Sequence, residues 1–188
     1  GVAGWPPFSM VHDDLGIYYD TSRPSRLEQL LLAADNIPSE TLAEAQKAIR
    51  LIVANCLSKY NHAPDFSETS SPQAVSGNGL ISRPSEKKRV LVIDQTFGDM
   101  AIRYGGADTD TFRRMFEAAV MENPQAQIYV KTHPETSEGR KRGHLTRVKE
   151  DARTVVLREL ANPLSLIERM DRVYVVSSNM GFEALFAG

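Results

Sequence analysis

A chain of 188 residues is long enough for one full hydrophobic core, or for one domain and part of another. Its 22 basic and 24 acidic residues nearly cancel to a formal charge of −2, which gives no reason to expect general nucleic-acid binding, although a local run such as Arg140-Lys141-Arg142 can still meet an anion. The one cysteine, Cys56, excludes an internal disulfide, and no apolar run has the length of a membrane span, so a cytoplasmic setting is expected, with association at the inner face of the membrane left open.

The chain opens at Gly1 and ends inside a helix-like run, Gly181-Phe-Glu-Ala-Leu-Phe-Ala-Gly188, and is read as a piece of a longer protein. Residues 9–20, Ser-Met-Val-His-Asp-Asp-Leu-Gly-Ile-Tyr-Tyr-Asp, predict two short strands around an Asp-Leu-Gly turn. Residues 25–34 place Leu27, Leu30, Leu31 and Ala34 on one helical face, and residues 41–60 repeat the pattern with Leu42, Ala45, Ile49, Ile52, Val53 and Cys56. Thr41 and Glu44 have the spacing of a capping box, in which two side chains satisfy the free amides of a first helical turn. Residues 1–60 thus read as a hairpin plus a helical segment. Residues 61–89 are rich in Ser, Pro, Gly and Asn without a sustained apolar period, and are expected to be a linker or long surface loop.

From residue 90 the pattern alternates. Strands are predicted at 90–94, 127–131, 154–157 and 172–176, with helices at about 110–122, 163–170 and from 179. Such alternation argues for βαβ units and a parallel sheet, so residues 90–188 read as a Rossmann-like α/β domain. Asn162 before Pro163 is a good helix start, because a proline at the first helical position loses no needed hydrogen bond.

Three of these strands break into polar residues where they end, and in open α/β sheets ligands bind outside the carboxyl ends of the strands. After the first strand, Asp99 lies in a glycine-flanked loop with Gln95 four residues earlier, where a carboxylate serves as nucleophile, general base or simple loop cap. Asp94 and Asp108 fit the structural role better, one closing a strand and the other preceding a helix. After the second, His133 ends Lys131-Thr-His-Pro134, where the following proline holds an extended or turn backbone that aims the imidazole outward. There it either donates to a phosphate oxygen or bonds a loop carbonyl. After the last, Ser177 and Ser178 precede a helix, whose N-terminus offers free amides to a phosphate but which serine also caps routinely. Glu183, one turn on, either takes a ribose hydroxyl pair or faces solvent. His12, His62 and His144 lack such settings and are assigned structural roles. Neither a Gly-x-Gly-x-x-Gly nor a Walker loop is present, no Cys or His cluster has metal-ligand spacing, and no Gly-x-Ser-x-Gly elbow occurs.

Ser9 to Asp20 with Pro24-Ser-Arg-Leu-Glu28, Val90 to Gly106, Asn123-Pro124 with Lys131-Thr-His-Pro134, and Ser177 to Gly188 together resemble the bacterial capsule polysaccharide synthesis family of KpsC-type retaining β-Kdo glycosyltransferases. The resemblance implies the donor-binding half of a GT-B-like pair of Rossmann domains, CMP-Kdo as donor, no cofactor and no metal. It implies a lipid-linked glycan as acceptor, other capsule-assembly proteins as partners and no nucleic acid. Asp99 is then placed as catalytic nucleophile and His133 as the group that stabilises the departing CMP. Ser177 and Ser178 would contact the CMP phosphate, Glu183 the cytidine ribose, with Gln95, Lys131 and Pro134 completing the substrate-binding set. The family also carries an acidic Glu-Asp-Gly motif resembling an acid/base for the acceptor, and this chain has none, so the chain alone is expected to be inactive. Two other readings use the same residues. One is a cytidine-nucleotide enzyme of the teichoic-acid polymerase or sialyltransferase kind, and the other a non-catalytic scaffold whose strand-tip residues are only caps.

Overall fold

The computed structural model describes residues 12–66 and 87–188. Four parallel strands form one sheet: β1 (Arg89–Ile93), β2 (Gln127–Lys131), β3 (Thr154–Leu157) and β4 (Arg172–Tyr174), in the order β3-β2-β1-β4. In the register, Val90 lies opposite Ile128 on one side and Arg172 on the other. The strands alternate between two apolar faces, as the period of two requires. Val90, Val92, Ile128 and Val130 pack with Phe112 and Ala119 on one face, and Leu91, Ile93, Val155 and Leu157 with Leu166 and Ile167 on the other. The expected α/β class with a parallel, Rossmann-like sheet is what the chain adopts.

The helices are α1 (Arg26–Leu32), α2 (Ser39–Ala54), α3 (Met100–Tyr104), α4 (Thr109–Glu122), α5 (Pro134–Ser137), α6 (Pro163–Ile167) and α7 (Asn179–Ala187). Asp108 caps α4, its carboxylate accepting the Thr111 N–H at 2.8 Å. Asn162 caps α6 as expected, accepting the Leu164 N–H at 3.0 Å, and every residue of α6 is buried. The short α3 and α5 leave no signal in the sequence, because five and four residues are too few to show a helical period. Among the described residues no helix is long and apolar enough to cross a membrane.

Three local expectations are corrected. Of the hairpin at 9–20, residues 9–11 lie outside the described residues, and 12–20 contain turns rather than strands. The cause is Asp13, whose carboxylate accepts the N–H groups of Leu15, Gly16 and Arg26 and so offers the backbone an alternative to a ladder. The capping box at Thr41 and Glu44 does not form, because α2 begins earlier, at Ser39, with Pro38 before it. A capping box instead joins Ser25 to Glu28 at the start of α1. Finally, the apolar stripe of α1 stays exposed, with Leu30 at 61% and Leu31 at 65% accessible. Periodicity reports that an apolar face exists, not that a neighbour covers it.

At the end of α2 the chain changes direction sharply. Cys56 has φ 47°, and two hydrogen bonds close the helix, Leu57 N–H to Ile52 O at 2.9 Å and Cys56 N–H to Val53 O at 3.0 Å. This is a Schellman cap with cysteine in the left-handed position usually given to glycine. It turns the chain into residues 57–66, which are tied to the start of α6 where Asn162 donates to Cys56 O at 2.8 Å and Phe66 N–H to Ser165 Oγ at 2.8 Å. That connection carries the segment across the carboxyl ends of the strands.

Candidate active site

From β1 the chain moves outward to β2 and β3, then returns to place β4 on the other side of β1, so the topological switch point lies between β1 and β4. A cavity of about 350 Å³ opens there, and all eight residues singled out from the sequence line it.

Gln95 is the centre of this arrangement. Buried just beyond β1, it accepts the Ser177 N–H at Oε1 (3.1 Å) and donates from Nε2 to Asp99 Oδ2 and Ser177 Oγ, both at 3.1 Å. A side-chain amide is suited to this post because it must both donate and accept without charge. Asp99 is the cap of α3, with Oδ1 accepting the Ala101 N–H at 2.9 Å, so both carboxylate oxygens are held while the side chain borders the cavity. It is thus a cap and a cavity residue at once.

Lys131, at the end of β2, is buried, with Nζ donating to Thr132 O at 2.9 Å. Burial lowers its pKa to about 8, with Glu159 opposing. Next to it, His133 caps α5, its Nδ1 accepting the Glu135 N–H at 3.2 Å, while Pro134 takes the first helical position. Burial pushes the His133 pKa down; Glu135 opposes this, and the charges of Lys59, Lys131 and Lys141 add to it. Burial and the neighbouring lysines thus favour the neutral ring.

On the β4 side, Ser178 caps α7 by accepting the Met180 N–H at 3.3 Å, Ser177 is held by Gln95, and both serines border the cavity. Glu183 faces the cavity from α7 and accepts the Ser58 hydroxyl at 2.7 Å. Its pKa is raised by burial, against the pull of Ser58 and Lys59.

Asp94, expected to be structural, borders the cavity and binds backbone amides of the surrounding loops. It is buried, and its Oδ1 accepts the N–H groups of Gln95, His144 and Leu145 at 2.9, 2.9 and 3.0 Å. Desolvation raises its pKa while those amides lower it. This clamp ties the loop after β1 to the excursion after α5. His144 lies between Phe97 and Phe112, with ring centroids at 4.0 and 4.3 Å, which also agrees with a structural role. The run Arg140 to Arg142 meets local partners: Arg140 pairs with Glu138, Lys141 with Glu135 at 3.0 Å, and Arg142 lies over the Phe97 ring at 5.1 Å.

Known proteins share this architecture and its sequence. Residues 5–188 match the family model described as capsule polysaccharide biosynthesis protein. The chain belongs to the capsule polysaccharide biosynthesis family. It is 56% identical over 188 residues to the capsule polysaccharide modification protein LipA of Neisseria meningitidis serogroup B, and 33% identical over 181 residues to the lipopolysaccharide-processing protein LpsZ of Rhizobium meliloti. Among solved structures it is similar to Thermosulfurimonas dismutans KpsC, the beta Kdo 2,4 transferase, with a TM-score of 0.78 and 45% identity over 93% of this chain, and the beta Kdo 2,7 transferase, with a TM-score of 0.62 and 28% identity over 94%. The chain spans 25% of LipA, 38% of LpsZ and about half of each KpsC chain. The KpsC-type resemblance and the GT-B-like α/β assignment made from the motifs are both met.

The fold also places in the cavity residues that sequence reading missed. Lys59 and Tyr60 come from the segment after α2, and Tyr18 and Tyr19 from the turns before α1. Tyr60 Oη lies 3.2 Å from His133 Nε2. A lysine or a tyrosine in a turn has no distinguishing local pattern; the helix cap and the anchor at Asn162 bring Lys59 and Tyr60 in.

Proposed function

We propose that this chain is the donor-binding part of a glycosyltransferase that moves Kdo from CMP-Kdo, with retention, onto a lipid-linked glycan of capsule synthesis. The observation that carries this reading is the convergence of Asp99, Lys131, His133, Ser177 and Glu183 on one cavity at the switch point. The similarity to solved KpsC transferases supports the same class of reaction.

In this reading a carboxylate oxygen of Asp99 attacks the anomeric carbon of Kdo, the bond to CMP breaks, and its electron pair leaves on the phosphate. Gln95 and the Ala101 amide orient the nucleophile. Lys131 holds the charge that develops on the departing phosphate, and His133 beside it takes part through its Nε2 edge, which borders the same cavity. Glu183 takes the ribose hydroxyls, exchanging its bond to Ser58. An acceptor hydroxyl then displaces Asp99, giving up its proton to a base that the rest of the enzyme supplies.

The first test is titration of CMP into the 188-residue chain by calorimetry, with UMP and AMP as controls and His133→Ala alongside. Selective CMP binding that the variant loses supports the donor site; binding without preference for cytidine overturns it. In the whole enzyme, Asp99→Ala is expected to abolish transfer, and full transfer by that variant would remove Asp99 from the nucleophile role.

A further inference from the structure

The segment after α2 adds a group to the site that no motif announces. The Glu135 N–H donates to His133 Nδ1 at 3.2 Å, so that nitrogen carries a lone pair and no proton. In the neutral ring the hydrogen must then sit on Nε2, which faces Tyr60 Oη at 3.2 Å. An oxygen that accepts from Nε2–H has its own hydrogen free to donate. Tyr60 borders the same cavity as Lys131 and His133, and Lys59 Nζ lies 5.5 Å from the centroid of its ring.

We propose that Tyr60 is an anion-binding residue of this site, its hydroxyl forming the end of a donor relay that runs from the Glu135 amide through His133 to a phosphate oxygen in the cavity. Each member polarises the next, so a hydroxyl that receives Nε2–H is a better donor than an isolated phenol. The turn that delivers Tyr60 is built for position. Ser58 N–H donates to Asn61 Oδ1 at 2.6 Å, and Ala63 N–H donates to Tyr60 O at 2.9 Å. The relay rests on the proposed nucleotide site only for the identity of the phosphate.

The depressed pKa of His133 agrees with a neutral relay member. The charged groups around it are Glu135, Lys59, Lys131 and Lys141, and three of the four favour the neutral ring.

Two measurements on the 188-residue chain test the relay. The first is the tautomer of His133 by nitrogen NMR without ligand: the Nε2–H form is expected, and a dominant Nδ1–H form overturns the proposal. The second compares Tyr60→Phe with the parent chain for CMP, cytidine and inorganic phosphate. The variant is expected to lose roughly ten-fold in CMP affinity, the scale of one hydrogen bond to a charged acceptor, with cytidine affinity unchanged. Equal losses for CMP and cytidine would assign Tyr60 to packing and overturn the proposal, as would unchanged CMP affinity. If the parent chain binds phosphate in a Tyr60-dependent way without favouring CMP over UMP, the relay stands and the cytidine assignment falls. Binding of neither CMP nor phosphate overturns both.

Discussion

Gln95 and Ser177, 82 residues apart in the chain, bond to each other in both directions, the Gln95 amide oxygen accepting the Ser177 N–H and the amide nitrogen donating to the Ser177 hydroxyl, each at 3.1 Å. The same nitrogen donates to Asp99. One buried side chain therefore fixes two candidate functional residues on opposite sides of the switch point, the carboxylate after β1 and the hydroxyl after β4.

Gln95→Glu places a second carboxylate against Asp99 in a buried setting. Like charges at this separation raise the folded-state pKa of the pair above the unfolded value, so stability present at acid pH is lost as pH rises through that raised value. Urea denaturation should show a loss of about 2–4 kcal/mol at pH 7.5 and a clearly smaller one at pH 5. A loss independent of pH would show that position 95 and Asp99 are not coupled.

Gly143 passes so close to the Asp94 clamp that a Cβ there would overlap Asp94 Oδ2. The carboxylate has little room to retreat, since its other oxygen holds three amides. Gly143→Ala is expected to cost about 2–4 kcal/mol. In an Asp94→Ala background the same substitution should cost much less, and strict additivity in that double-mutant cycle would refute the clash.

Cys56 holds a left-handed backbone at the cap of α2. A residue with a Cβ is strained there by about 1–2 kcal/mol, and glycine gives back part of that gain through its more mobile unfolded chain. Thermal melts should rank Cys56→Gly at or up to about 1 kcal/mol above the parent and Cys56→Val below it. The valine variant should also weaken CMP binding, because the cap aims residues 58–60 into the cavity.

Lys131 is buried with a pKa of about 8. Anion binding favours its protonated form, so CMP affinity tracks the protonated fraction and falls as pH rises through 8. Between pH 7.5 and 9.5 calorimetry should register roughly a twenty-five-fold weakening, the fall in protonated fraction of a group that titrates at about 8. Lys131→Met should bind weakly and show no such slope. A parent profile flat over that range would place Lys131 away from the anion.

The architecture was legible because its signals are local. Period-two apolar runs marked the strands, Asn162-Pro163 marked a helix start, and polar breaks at Gln95, Lys131 and Ser177 marked strand tips facing one edge of the sheet. Where local signals compete, the sequence misleads. Asp13 bonding three amides displaced the expected hairpin, and α2 began at Ser39, which left Thr41 inside its first turn.

From the sequence alone, then, came the α/β class, the family resemblance and eight of the residues that line the cavity, since the motifs behind them each lie within a short stretch of chain. Tertiary structure alone decided which of them touch, that Gln95 joins Asp99 to Ser177, and that Ser58 and Tyr60 reach Glu183 and His133 across 125 and 73 residues of chain. Such contacts are set by strand order, register and the cap that redirects the chain at Cys56. Those features arise from how whole elements pack, and no periodicity within one element encodes its neighbour.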